Sequence, residues 1–412
     1  MRRRARTDVR FFESLEQRQV LAANLIAIPG APLPANHPGI VVATGTADQF
    51  GNVGGDHDVV LHAVLGTTPV DFELHGPGNG KVKYLNGGYV VNLVGTTDET
   101  KVTIHAHPTP PGAAQPAIRN INVPRSLDHL DIDKVRITAA VAVGGTADKL
   151  DLGNVSGSTI TVSGAGDKLD VKADAVSATT LVSATPIHDL HVKSWTGAGR
   201  IEAPYAHDIR SDGALSAGIL MTGMDEHGES IHDMDIKGAA GIIVAPGDLH
   251  DADIGSLSAG RINVAGEAHK LHIKGNVASS SIAIRSVKDL NIDGNVSNSQ
   301  VAAGAAFGNA TPAQIFTVAK TPRWKDGSIE HLDVHGSVSN TSFTAGVRPV
   351  VGLWRDGNDQ FVVGATGGFD HIDIHGTFVN SGFEAPSFPN HAKLANQDVD
   401  TATDPRFNSH LA

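Results

Sequence analysis

The sequence predicts an all-β chain: a parallel β-helix (a β-solenoid), right-handed, of about eleven coils of about 19 residues each, behind a β-rich cap region. Three observations predict it. One six-residue pattern recurs along most of the chain. The steps between its instances are nearly constant. The composition also suits short strands and turns: the 412 residues include 46 Gly but only 4 Met, 3 Trp and 3 Tyr. The apolar residues are mostly Ile, Val, Leu and Ala among Ser, Thr, Asn and Asp.

The pattern is an apolar residue, two polar ones, then apolar–polar–apolar. It reads LDHLDI at 127–132, ADKLDL at 147–152, IHDLHV at 187–192, IHDMDI at 231–236 and LHDADI at 249–254. It returns as AHKLHI at 268–273, VKDLNI at 287–292, IEHLDV at 329–334 and FDHIDI at 369–374, with weaker members at 166–171 and 206–211. The fourth residues are Leu130, Leu150, Leu169, Leu190, Ile209, Met234, Ala252, Leu271, Leu290, Leu332 and Ile372. One unit is too small to bury its own apolar side, so these residues are expected to stack as one interior column. Alternation turns the intervening Asp outward, and the two polar residues before it mark a corner. Two steps near 40 residues stand for either two coils or one coil with an insertion.

The rest of the unit repeats too. Gly238, Gly275, Gly294, Gly336 and Gly376 follow the strand. Val277, Val296, Val338 and Phe378 come next, and a Ser/Asn-rich corner leads to Ile282, Val301, Phe343 and Phe383. Left-handed hexapeptide helices use about 18 residues per coil with a strict six-residue motif. That motif is absent, which favours the right-handed form.

Around the repeats the chain divides into four segments. Residues 1–24 form a basic leader with Arg2, Arg3, Arg4, Arg6 and Arg10. Its next stretch, Phe11 to Ala23, is too interrupted by charge for a secretory h-region and suits a short amphipathic helix. Residues 25–120 form the β-rich cap or irregular first coils. Residues 121–389 carry the repeats, with insertions at 304–328 and 346–368. Residues 390–412 read as a polar C-terminal tail, a cap followed by a loose end.

Leu15-Glu16-Gln17-Arg18-Gln19-Val20-Leu21 resembles the LEPR-XLL segment at the start of many large extracellular proteins of planctomycete bacteria. Gln17 stands where the usual Pro would be, and Val20 replaces the first Leu of the closing pair. The order GPGNG (76–80), VNLVGTT (91–97), KVTIHA (101–106) is similar to the start of β-strand-repeat surface proteins of the same bacteria. The resemblance implies export to the cell surface or the medium and names no activity.

Net charge is −12, from 32 basic and 44 acidic residues, and aromatics make up 5%. Nucleic acid needs a basic surface and often stacking rings, so it is not expected as a partner. Cysteine is absent, which excludes disulfides and thiolate metal sites. No run of 18 apolar residues exists, so no transmembrane helix is expected.

His188, His207, His232, His250 and His269 share one register at the corner before the anchor. Stacked imidazoles offer lone pairs to a transition metal, though a straight ladder diverges where a metal needs convergence. A solvated His/Asp corner is the plainer reading. The outward Asp131, Asp151, Asp170, Asp235 and Asp253 suggest weak Ca²⁺ binding, and no cofactor is otherwise expected. Trp324, Trp354 and Phe361 in the insertions are candidate binding residues.

These features point to a non-catalytic surface protein, structural or adhesive, facing cell-envelope components or polysaccharide. The alternative is a carbohydrate-active β-helix enzyme, a lyase or hydrolase, with a cleft near the insertions. It would need carboxylates beside a basic group, such as Asp225, Glu226 and Glu229 near Arg200 and Arg210.

Overall fold

The computed structural model describes residues 47–85, 88–108, 114–306, 323–324, 327–348, 360–361 and 367–409. The leader expected at 1–24 lies outside them. Among the described residues the chain is all-β without a helix, so no helix is long and apolar enough to cross a membrane.

From Ala117 to Glu384 the main strands pair in parallel, each with the segments about one repeat before and after it, along three ladders. The first contains the pattern's anchors: Leu130 pairs with Leu150, Leu190 with Ile209, Ile209 with Met234, and Leu271 with Leu290. The second runs through Leu257, Val277, Val296, Val338 and Phe378. The third runs from Ile121 and Val141 through Ile262, Ile282, Val301, Phe343 and Phe383 to Phe407. Alternate residues of a strand face opposite sides, so each unit sends apolar side chains inward from every ladder, as with Ile329, Leu332 and Val334 on the first, Val338 on the second and Phe343 on the third, and neighbouring units enclose them.

The anchor column departs from expectation at one unit. Leu150 pairs with Val171, and Leu169 pairs instead with Ile187, the first apolar position of the next unit. This corner is one residue short, and the register shifts between Leu169 and Asp170. Leu169 and Val171 are two apart on one face, so alternation alone cannot tell them apart. The outward columns change accordingly. Asp151 pairs with Lys172, while Asp170 joins Lys149 and Asp189, so Asp170 does not belong with Asp131 and Asp151.

Both long steps are single units with insertions. Leu290 pairs directly with Leu332, and Leu332 with Ile372. The insertions leave after the paired residues Ala303 and Ala345 and rejoin before the paired residues Ile329 and Phe369. Each opens with a short antiparallel pair, Ala305–Ala306 with Arg323–Trp324 and Val347–Arg348 with Gln360–Phe361.

The Ser/Asn corner has a specific backbone. Ser279, Asn298, Asn340 and Asn380 all sit at φ near +50° (51, 49, 48 and 48). Asn tolerates this left-handed region better than most side chains. The hydroxyl that follows is buried and doubly bonded. Ser280 Oγ donates to the Ala278 carbonyl (2.7 Å) and accepts the Gly260 N–H (3.2 Å). Ser381 Oγ donates to Val379 (2.9 Å) and accepts Thr341 N–H (3.0 Å). The glycine column has a steric cause. A Cβ on Gly336 would lie 2.3 Å from the Gly294 carbonyl oxygen, and one on Gly376 would lie 2.5 Å from that of Gly336.

The two ends use antiparallel pairing. Asn79–Leu85 pairs antiparallel with Ala47–Val53 and Gly88–Val94, and Thr68–His75 with Leu61–Leu65 and Lys101–Ala106. Gly88–Val94 and Lys101–Ala106 then hand over to parallel partners, Ala117–Val123 and Leu127–Asp133. At the other end, the segment expected as a polar tail forms a hairpin, His391–Leu394 with Gln397–Asp400, and a further strand, Phe407–Asn408. Ala392, Leu394 and Phe407 are buried against the last unit, whose apolar residues would otherwise face water.

Candidate functional site

The corner before each anchor presents its polar pair outward, and in-register stacking brings equivalent corners together. The rings of His188, His207, His232, His250 and His269 therefore form one column. Successive centroids are 5.6, 4.6, 5.0 and 5.0 Å apart, with ring planes 22°, 8°, 8° and 6° from parallel. Lys288 continues the column, its Nζ 3.3 Å from His269 Nε2. At the opposite end His188 Nδ1 meets Asp170 Oδ1 at 3.0 Å.

Beside the imidazoles runs a second column, Asp170, Asp189, Asp208, Asp233 and Asp251, paired rung by rung. His232 Nδ1 lies 3.2 Å from Asp233, His207 Nδ1 lies 3.4 Å from Asp208, and Asp251 sits between His250 (3.7 Å) and His269 (3.6 Å). A metal bound at about 2.0–2.1 Å needs donors that converge. Parallel rings aim their lone pairs side by side at the ring spacing, so no two of these imidazoles share one ion in this arrangement. The tightest donor group on the column is Asp233, His250 and Asp251, with one imidazole.

Next to it, Asp208, Arg210, Asp233, Asp235, Asp251, Asp253 and Lys270 line a depression of about 270 Å³. Burial would raise the Asp253 carboxyl, but Lys274 (3.1 Å) and Lys270 (3.3 Å) outweigh it and hold the group below the usual carboxylate value. Arg210 pairs with Asp208 at 3.1 Å. One carboxylate oxygen of Asp235 is enclosed without a hydrogen bond. The depression is chemically able to attract a cation.

The residues weighed for catalysis have other partners. Arg200 pairs with Glu202 (2.7 Å) and Arg210 with Asp208, while Asp225 Oδ1 accepts the backbone N–H groups of His227 and Glu229 within its own turn. Trp324 lies opposite Ala305 and Phe361 opposite Val347, at the bases of the two insertions. Trp354 lies outside the described residues.

Two further surfaces escaped the sequence pattern. Along the Ser/Asn corner runs an open trough of about 900 Å³. Its lining includes Ser279, Ser281, Asn298, Gln300, Asn340, Ser342 and Asn380, and Arg261 is the one charged residue there among the described residues. The repeated Ser/Asn letters signalled the corner but not its concavity. The other surface is an alternating Asp/His chain past the anchors. His272 bridges Asp253 (3.4 Å) and Asp293 (2.9 Å), and His335 bridges Asp293 (3.3 Å) and Asp333 (3.4 Å). His375 lies 3.3 Å from Asp333. In the sequence its signal was confined to Asp293, His335 and His375, which precede the repeat glycines Gly294, Gly336 and Gly376.

Comparison with known proteins finds no match: no family model, no curated protein and no solved structure.

Proposed function

We propose that the chain is a right-handed parallel β-solenoid that works outside the cell as a structural or adhesive protein and binds extended polysaccharide along the Ser/Asn trough. The trough is the observation that carries this reading. It crosses successive units from Ala259–Arg261 to Asn380 and offers hydroxyls and carboxamides along its length. A sugar polymer presents hydroxyls at a comparable density, and neutral donors and acceptors suit them. The three in-register ladders support the solenoid, and the leader's resemblance supports the location.

The test is retention of the purified protein on immobilised polysaccharides, with product release followed in parallel. Retention without release is expected. Asn298→Asp with Asn340→Asp keeps side chains that tolerate positive φ but adds charge, and should weaken retention about tenfold, or about 1.4 kcal/mol. Unchanged retention would remove the trough from the proposal.

The acidic depression favours a second reading, the carbohydrate-active enzyme, because several carboxylates there adjoin Arg210 and Lys270. Release of reducing or unsaturated ends, abolished by Asp233→Asn with Asp251→Asn, would establish it in place of the first.

A further inference from the structure

We infer that Asp333, His335 and His375 form a binding site for one divalent transition-metal ion of the zinc type. The inference does not depend on the proposed polysaccharide partner.

Asp333 is the second-last residue of the strand Ile329–Val334 and His335 follows two residues on, so both project from the same face. Asp373 and His375 repeat the arrangement one unit further, with Asp333 paired to Asp373. The result is a two-by-two grid of carboxylates and imidazoles. The donor atoms of Asp333, His335 and His375 lie within 4.8 Å of one another.

Ring orientation separates this group from the corner column. There the imidazoles are parallel and their nitrogens aim past any common point. Here the His335 and His375 rings, 5.0 Å apart, cross at 84°. Both present Nε2 to the same carboxylate, one to each oxygen: His335 Nε2 to Asp333 Oδ2 at 3.4 Å and His375 Nε2 to Asp333 Oδ1 at 3.3 Å. Four donors arranged tetrahedrally at about 2.0–2.1 Å from an ion lie about 3.3 Å from one another. The two nitrogen–oxygen separations, each to one oxygen of Asp333, are close to that edge.

Two further features fit. Asp333 Oδ1 and Asp373 Oδ1 are enclosed and take part in no hydrogen bond. The latter lies 3.7 Å from His375 Nε2 and supplies a fourth ligand after a small rotation. On the far side of the His335 ring, Asp293 Oδ1 stands 3.3 Å from Nδ1. A carboxylate there holds the proton on Nδ1, leaves the lone pair on Nε2 and fixes the ring. Two imidazoles with carboxylate oxygen suit Zn²⁺, Cu²⁺ or Ni²⁺, whereas Ca²⁺ and Mg²⁺ prefer all-oxygen shells. The ion would tie the unit Ile329–Val334 to Phe369–Ile374, the two units whose corners carry the long insertions.

The competing account is a chain of polar contacts in which His335 bridges Asp293 and Asp333 without a metal. Titration of the metal-free full chain with Zn²⁺ by calorimetry, and with Co²⁺ by its visible spectrum, separates the two. The inference expects one Zn²⁺ per chain, Co²⁺ bands of a four-coordinate site, and no competition from excess Ca²⁺. His335→Gln and His375→Gln should each weaken Zn²⁺ at least about tenfold, and Asp293→Asn about 10–100-fold. These side chains are half exposed, and a melting curve confirms that each variant is folded. His207→Ala should leave the affinity unchanged. No uptake by the wild-type chain, or uptake indifferent to His335→Gln and His375→Gln together, overturns the inference.

Discussion

Leu332 lies directly beside Leu290 in the first ladder, and both side chains are fully enclosed (0% exposed). The chain between them carries a whole insertion, yet their register is as close as that of Leu271 and Leu290. Leu332→Ala should therefore cost about 2–5 kcal/mol, as for any well-packed leucine removed from a core. His207→Ala, on the exposed corner, should stay within about 0.5 kcal/mol. Denaturant titration of both variants checks the contrast, and equal costs would count against the column.

The insertion itself should be dispensable to the stack. In the preceding unit Arg285 and Ser286 alone join Ile284 to Val287, which pair with Ala303 and Ile329. Replacing 304–328 by Arg-Ser should preserve the fold and gain up to about 2 kcal/mol from the shorter closure. A loss of that size would instead mean that the insertion covers apolar surface.

The left-handed corner makes a sharper prediction. Asn340 has φ of 48° and hydrogen-bonds to Asn298, its Nδ2 donating to Oδ1 at 3.2 Å. Asn340→Gly should be nearly neutral, because Gly adopts this φ freely. Asn340→Val should cost about 1–3 kcal/mol, since a β-branched side chain is strained there. If both behave alike in thermal melts, backbone strain is not what selects Asn.

Strong acid should loosen the N-terminal region. Burial alone would raise the Asp71 carboxyl, but hydrogen bonds from His62 (2.7 Å) and His107 (2.8 Å), with their charge, outweigh it and lower the group. A carboxylate lowered on folding contributes stability above its unfolded value near 3.9, and the contribution is lost as pH falls through the lower folded value. Asp71→Asn should flatten this part of the stability curve below about pH 4.

His129 acts in a milder window. Burial, then the charge of Lys149, lowers it, against opposition from Asp131, Asp128 and Asp151. Its Nε2 is buried without a hydrogen bond. An imidazole lowered on folding gives full stability above about pH 6.5, and stability falls as pH drops below that value. NMR titration should find His129 neutral below the ordinary range, and His129→Gln should remove its share of the slope.

Much of this architecture was legible because stacking demands repetition. The columns through Val277, Val296, Val338 and Phe378, and through Ile282, Val301, Phe343 and Phe383, follow from constant spacing alone. The slip at Leu169 shows the limit. A two-residue shift leaves every side chain on its own face, so only the partner strand distinguishes Leu169 from Val171. The same limit applied to the sites. Periodicity places His188 to His269 in one column, but whether rings lie parallel or crossed depends on rotamers set by neighbours such as Asp293. The His335–His375 crossing therefore left little trace in the pattern. After Pro389 the sequence suggested a cap but not its strands, because Ala392, Leu394 and Phe407 are sparse among polar residues and belong to no repeat.

A parallel stack is in principle a template at both ends, each offering unpaired backbone groups at the spacing another copy would need. Here the strands about Asn79–Leu85 and Thr68–His75 break that direction at one end. At the other end the second strand of the hairpin, Gln397–Asp400, does so at the first ladder, while Phe407–Asn408 continues the third ladder in parallel. Where the direction breaks, a further copy could not extend the ladder in the same direction, a built-in stop to growth there.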